Sequence, residues 1–125
     1  MRIAFGSCYG IWDFKSNIFE TIVKDKPDVW IWLGDVAYVD ANDFVSLVTF
    51  DDAGTSAKHI EYKLSTTKEG ASGYQDLMKQ TRIIGVWDDH DFGINDGGRD
   101  FKLKDQNRDL WLDFIDEPKD SERRL

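Results

Sequence analysis

Three short apolar runs limit the fold open to this chain more than any other feature: Arg2 to Cys8 (RIAFGSC), Val29 to Gly34 (VWIWLG) and Arg82 to Trp87 (RIIGVW). Each is too short for a buried helix and rich in β-branched or aromatic residues, so each is predicted to be a buried strand. Between the first two runs lies a crossover of about twenty residues, a length that favours a parallel pair joined by a right-handed connection. Ser16 is a plausible N-cap within it, Ile18, Phe19, Ile22 and Val23 fall on one helical face, and Pro27 stops the helix. VWIWLG is almost continuously apolar, which predicts a central parallel strand buried on both faces. The fold class is therefore α/β, with mostly parallel strands.

The remaining signals are weaker. Asp43 to Phe50 suits helix or strand, Asp51 to Ser56 reads as a loop, and Ala57 to Glu69 as a polar helix. Gly73 to Gln80 adds a short helical stretch. After the third run comes a glycine-rich loop with Gly93, Gly97 and Gly98. Lys104 to Ile115 then carries Leu110, Trp111, Phe114 and Ile115 at helical spacing, closed by Glu117-Pro118. The 125 residues suffice for one domain with one core. The apolar runs are far too short to span a bilayer, and Met1-Arg2 leads into a strand-like run without a signal-peptide core. A formal net charge of -8 opposes a nucleic-acid or anionic-membrane partner and suits cations instead. The single cysteine, Cys8, has no internal disulfide partner, which leaves a buried thiol, a reactive thiol or a metal thiolate.

In open α/β sheets, ligands gather beyond the carboxyl ends of parallel strands. The three predicted strands end in Cys8, Asp35 and Asp88-Asp89-His90. Parallel strands would bring these ends to one edge, where Asp35, Asp88, Asp89 and Asp91 repel one another unless protons or cations intervene. Carboxylate, imidazole, phenolate and thiolate together suit iron or another transition metal, whereas carboxylates with amide oxygens suit calcium or magnesium. Blander roles compete for each residue. Cys8 serves as a small buried hydrophobe, Asp35 or Asp88 as a turn residue, and Tyr38 as a core aromatic. Asp91 reads as a solvated or outer carboxylate rather than a direct ligand, His59 as a surface residue, and Asn95-Asp96-Gly97-Gly98 as a turn.

Taken in order, GSC at Gly6 to Cys8, LGDVAYVD at Leu33 to Asp40 and WDDHDFGINDGG at Trp87 to Gly98 resemble the alkaline phosphatase D (PhoD-like) family of metallophosphoesterases. The resemblance implies a calcineurin-like αββα sandwich, of which residues 1–125 are the first half, and hydrolysis of phosphate esters at an iron and calcium centre that other divalent metals could replace. It makes Cys8 a thiolate ligand, Asp35 a metal-bridging carboxylate and Tyr38 a phenolate ligand. Asp89 takes the place of the asparagine in the superfamily's GNH motif, and His90 matches the histidine that approaches the scissile phosphate. Asp88 is carried with them as a candidate metal carboxylate. Family members continue into a second half that brings further ligands, so this chain alone is expected to be inactive. The alternative is a catalytically incomplete metal-binding or interaction module, for which the exposed sheet of an incomplete sandwich offers a surface for association.

Overall fold

The computed structural model describes residues 1–10, 16–38 and 53–125. The three apolar runs form strands β1 (Ile3–Gly6), β2 (Val29–Leu33) and β3 (Arg82–Val86), joined in one parallel sheet of order β1-β2-β3. Ile31 at the centre of β2 pairs with Phe5 on one side and Ile84 on the other. The α/β class and the central position of β2 are as expected from the sequence.

Helix α1 (Ile18–Asp25) follows β1, carries the apolar stripe and ends where Lys26 turns left-handed before Pro27. Ser16 does not cap it: Asn17 holds that position without a side-chain bond, and the Ser16 hydroxyl only accepts the Ile18 amide at 3.3 Å. Helix α2 (Ala53–Gly70) starts within the stretch expected to be a loop, and α3 (Tyr74–Gln80) leads into β3. A single turn, α4 (Asp89–Phe92), and the longer α5 (Lys104–Phe114) complete the helices before a terminal 3₁₀ turn at Glu122–Arg124. The uncertain segment Asp43 to Phe50 lies outside the described residues. His59, expected at the surface, is half-buried on α2.

Strand alternation divides the sheet into two unlike faces. Trp30 and Trp32 point into the core, with Ala4 and Ile83 beside them, and meet Phe19 of α1, Ile60 and Leu64 of α2, Tyr74 and Leu77 of α3, and Trp111, Leu112 and Phe114 of α5. Trp32 is the hub. Its indole N–H donates to the Tyr74 hydroxyl at 2.9 Å, and its ring meets those of Tyr9, Phe19, Trp30 and Phe114. Across the register sits Gly85, where a Cβ would come within 2.6 Å of the Trp32 backbone oxygen. Glycine there leaves room for the Trp32 backbone and Cβ on the neighbouring strand.

The opposite face corrects the expectation that β2 is buried on both sides. Ile3, Phe5, Leu33 and Val86 are 50, 67, 47 and 55% exposed, and Val29, Ile31 and Ile84 between them are only half-buried. The continuous apolar run of β2 therefore reflects a core on one side and, on the other, an apolar surface that no described residue covers. A Phe5→Thr/Val86→Thr double variant is expected to melt within about 1 kcal/mol of wild type, because neither side chain is packed. It should bind an apolar-surface dye markedly less; unchanged dye fluorescence would show that this face is covered in solution.

The C-terminal turn closes the β3 edge. Arg123 donates to the Gly85 carbonyl at 2.8 Å, pairs with Glu117 at 3.2 Å and lies over the rings of Trp87 and Trp111. Among the described residues, no helix is long and apolar enough to cross a membrane.

Candidate metal centre

The parallel ladder continues briefly past β1 and β2. Cys8 N–H donates to the Gly34 carbonyl at 3.2 Å and Tyr9 N–H to that of Asp35 at 2.9 Å, which sets Cys8 beside Asp35. The chain leaves β2 through two left-handed residues, Gly34 at φ 97° and Asp35 at φ 58°, and Cys8 itself sits at φ 56°. Two non-glycine residues in that region at adjacent strand ends carry backbone strain of about 1–3 kcal/mol each. A Cβ on Gly34 would lie 2.6 Å from the Asp88 Cβ, so glycine allows the ends of β2 and β3 to close on each other.

Beyond β3, Asp88 caps α4 in a reciprocal capping box: its side chain accepts an amide from the first turn, and Asp91 accepts the Asp88 amide. The short helix thereby presents Asp89 and His90 side by side. Asp89 Oδ2 accepts the Asp96 amide at 2.5 Å, which folds the Asn95-Asp96-Gly97 turn back over the helix. Asn107, fully buried on α5, donates to the Phe92 carbonyl and fixes α4 from behind.

Asp35, Asp89 and His90 each bring a ligand atom within 4.8 Å of the others. The Tyr38 hydroxyl and the Cys8 thiol both donate to Asp35 Oδ2, at 3.2 and 3.7 Å, and the Tyr38 ring lies 4.4 Å from the His90 ring. Asp35 Oδ1 is buried without a hydrogen-bond partner. Of the residues singled out in the sequence, five therefore meet around the Asp35 carboxylate. Asp88 does not join them, because its carboxylate is engaged as a helix cap.

The electrostatics favour a cation here. Two carboxylates at that separation repel by about 3.5 kcal/mol at an effective dielectric constant near 20, before solvent screening. Burial, the hydrogen bond with Cys8 and the charge of Asp35 together hold Tyr38 in its phenol form well above the ordinary tyrosine range. A phenolate at Tyr38 would need a cation beside it to offset the charge. The unpartnered Asp35 oxygen and the mixed carboxylate and imidazole donors fit a transition metal.

Of the two sequence readings of Asp91, a solvated or an outer carboxylate, burial rules out the first, and its position outside the cluster agrees with the second. It is 1% exposed and accepts four backbone amides: those of Asp35 (2.7 Å) and Asp88 (3.1 Å) on Oδ2, and those of Val36 and Ala37 (both 2.9 Å) on Oδ1. Burial pushes its pKa up to about 6 while the four amides pull it down. The folded value lies above that of an unfolded aspartate, so this group alone disfavours folding above pH ~6 and favours it increasingly as pH falls towards ~4. Part of this role was readable in advance, since the spacing Asp88-x-x-Asp91 is that of an acidic capping box.

Comparison with models of known families, with curated proteins and with solved structures yields no match for the chain.

Proposed function

We propose that this chain carries the first half of a metal-dependent phosphate-ester hydrolase centre, of the PhoD-like metallophosphoesterase type. The observation that carries this reading is the meeting of Asp35, Asp89 and His90 at the carboxyl ends of two parallel strands, with a buried carboxylate oxygen of Asp35 left unpaired. Asp35, Asp89 and His90 would hold the metal, with Cys8 and Tyr38 completing its surroundings through Asp35. The bound metal would polarise the phosphoryl oxygens and offset the charge of the phosphate, which a protein of net charge -8 otherwise repels. The Tyr38 ring lies against that of His90, and the resemblance gives His90 a different role, donation to the leaving oxygen, which it could fill only while protonated and not bound to the metal. The two ions of the family's centre would be iron and calcium, and the substrate a phosphate mono- or diester.

A second reading is supported by the uncovered apolar face. The three clustered side chains among the described residues are few for a multi-metal centre, and a second sheet packed on Ile3, Phe5, Leu33 and Val86 would complete both the αββα sandwich and the ligand set. By itself the chain then acts as a metal-binding module with little or no turnover.

Both readings predict metal binding by the purified chain. Elemental analysis after exposure to iron, calcium or cobalt tests the metal site, and assay with a chromogenic phosphodiester tests the chain by itself: turnover would overturn the expectation that the first half alone is inactive, and metal without turnover would support an incomplete centre. Asp89→Ala is expected to lose metal occupancy while its melting temperature falls only modestly, through the freed Asp96 amide. Failure of the wild-type chain to retain any metal would sink both readings.

A further inference from the structure

We infer that Asp91 is a positioning residue of the metal centre, a group that ties the two ligand-bearing strand ends to each other; this inference rests on the metal-site reading above. Its two carboxylate oxygens divide their bonds between both segments. Oδ1 holds Val36 and Ala37, and Oδ2 bridges the amide of the ligand residue Asp35 and the amide of Asp88, which immediately precedes the ligand residues Asp89 and His90. Val36 and Ala37 are themselves fully buried, so these amides have no access to water as a replacement acceptor. The left-handed backbone of Asp35 is held by the same carboxylate, since Asp35, Val36 and Ala37 donate to it in succession. Asp91 contributes no ligand atom to the cluster, and acts through the backbone that carries those atoms.

Asparagine keeps the shape of the side chain but not this function. An amide has one acceptor oxygen, and its NH₂ would face two backbone N–H donors. One of the two segments would then be released, and loss of a supporting contact of this kind weakens metal binding by about 10–100-fold.

The test uses Co(II) alone as probe, with affinity and visible absorption spectrum measured for wild type, Asp91→Asn and Ile60→Val. Ile60 is fully buried on α2 and contacts the core rather than the centre, so its truncation controls for a general loss of stability. The expected result is binding at least about tenfold weaker in Asp91→Asn with an altered Co(II) spectrum, while Ile60→Val keeps both affinity and spectrum. Wild-type affinity and spectrum in Asp91→Asn would overturn the positioning role and leave the metal site standing. No Co(II) binding by wild type would instead remove the site and the role together. Should Asp91→Asn fail to fold, amide exchange in wild type decides: Co(II) should slow the Asp35, Val36, Ala37 and Asp88 amides more than those of α2, and a uniform response would overturn the proposal.

Discussion

Trp32→Ala should cost most of the stability of this chain. The indole is 1% exposed at the meeting point of the sheet and four helices, and removing such a side chain costs about 3–5 kcal/mol through lost burial and the cavity left behind. The Tyr74 hydroxyl, fully buried, loses its donor as well, which adds about 1–3 kcal/mol. The total of about 4–8 kcal/mol removes most or all of the stability of a domain in the lower half of the typical range of about 5–15 kcal/mol. Loss of the near-ultraviolet circular dichroism signal and of a cooperative urea transition is the expected readout. Trp32→Phe, which keeps an aromatic ring against Phe19 and Phe114, should lose clearly less. A Trp32→Ala midpoint within about 1 kcal/mol of wild type would place the core elsewhere.

Asp35→Asn should act in the opposite way, abolishing metal binding while sparing the fold. Its backbone bonds to Asp91 and Tyr9 do not involve the side chain and persist. What disappears is one of two neighbouring carboxylates and the charge to which Tyr38 and Cys8 donate. Affinity for Co(II) should fall by more than about 100-fold, beyond what an outer contact costs. Without metal, the variant should be as stable as wild type or slightly more so, because like-charge repulsion is relieved. With metal at 100 times its dissociation constant, wild type alone should gain about 2.7 kcal/mol. Equal metal-dependent stabilisation of the two proteins would remove Asp35 from the centre.

The parallel sheet, its order and most helices follow from the spacing of the apolar runs, because a short crossover between β-rich segments leaves few topologies. The degree of burial does not follow. Continuous apolarity in VWIWL reads as burial on both faces, yet Leu33 and Ile31 lie on the side that no described residue covers, and local sequence carries no record of which layers are present. Cys8, Asp35, Asp89 and His90 were each legible as strand-end polar residues that parallel topology brings together, whereas Tyr38 was marked as a ligand only by the family resemblance. Asp91 was harder to read because its partners are backbone amides, which any residue supplies, and nothing in the letters at positions 35–37 marks them as donors. Asp88 is ambiguous in the sequence for a related reason: as a cap and as a ligand an aspartate looks the same until the helix behind it is known.

Asp91 reaches its partners across 54 to 56 residues of chain, and this has a consequence for the order of folding. Closing a loop of that length costs about 3.5 kcal/mol beyond a constant, and the hydrogen bonds of the buried carboxylate must offset its own desolvation as well. Pairing of β3 with β2 must therefore close the loop first, after which the carboxylate engages at little further entropic cost. Cys8, Asp35 and Tyr38 all precede β3, and their strand end stays unset until β3 has docked. Detachment of β3 and dispersal of the centre would then be one event, so slow release of a bound metal would report the opening of this strand rather than the intrinsic lability of its ligands.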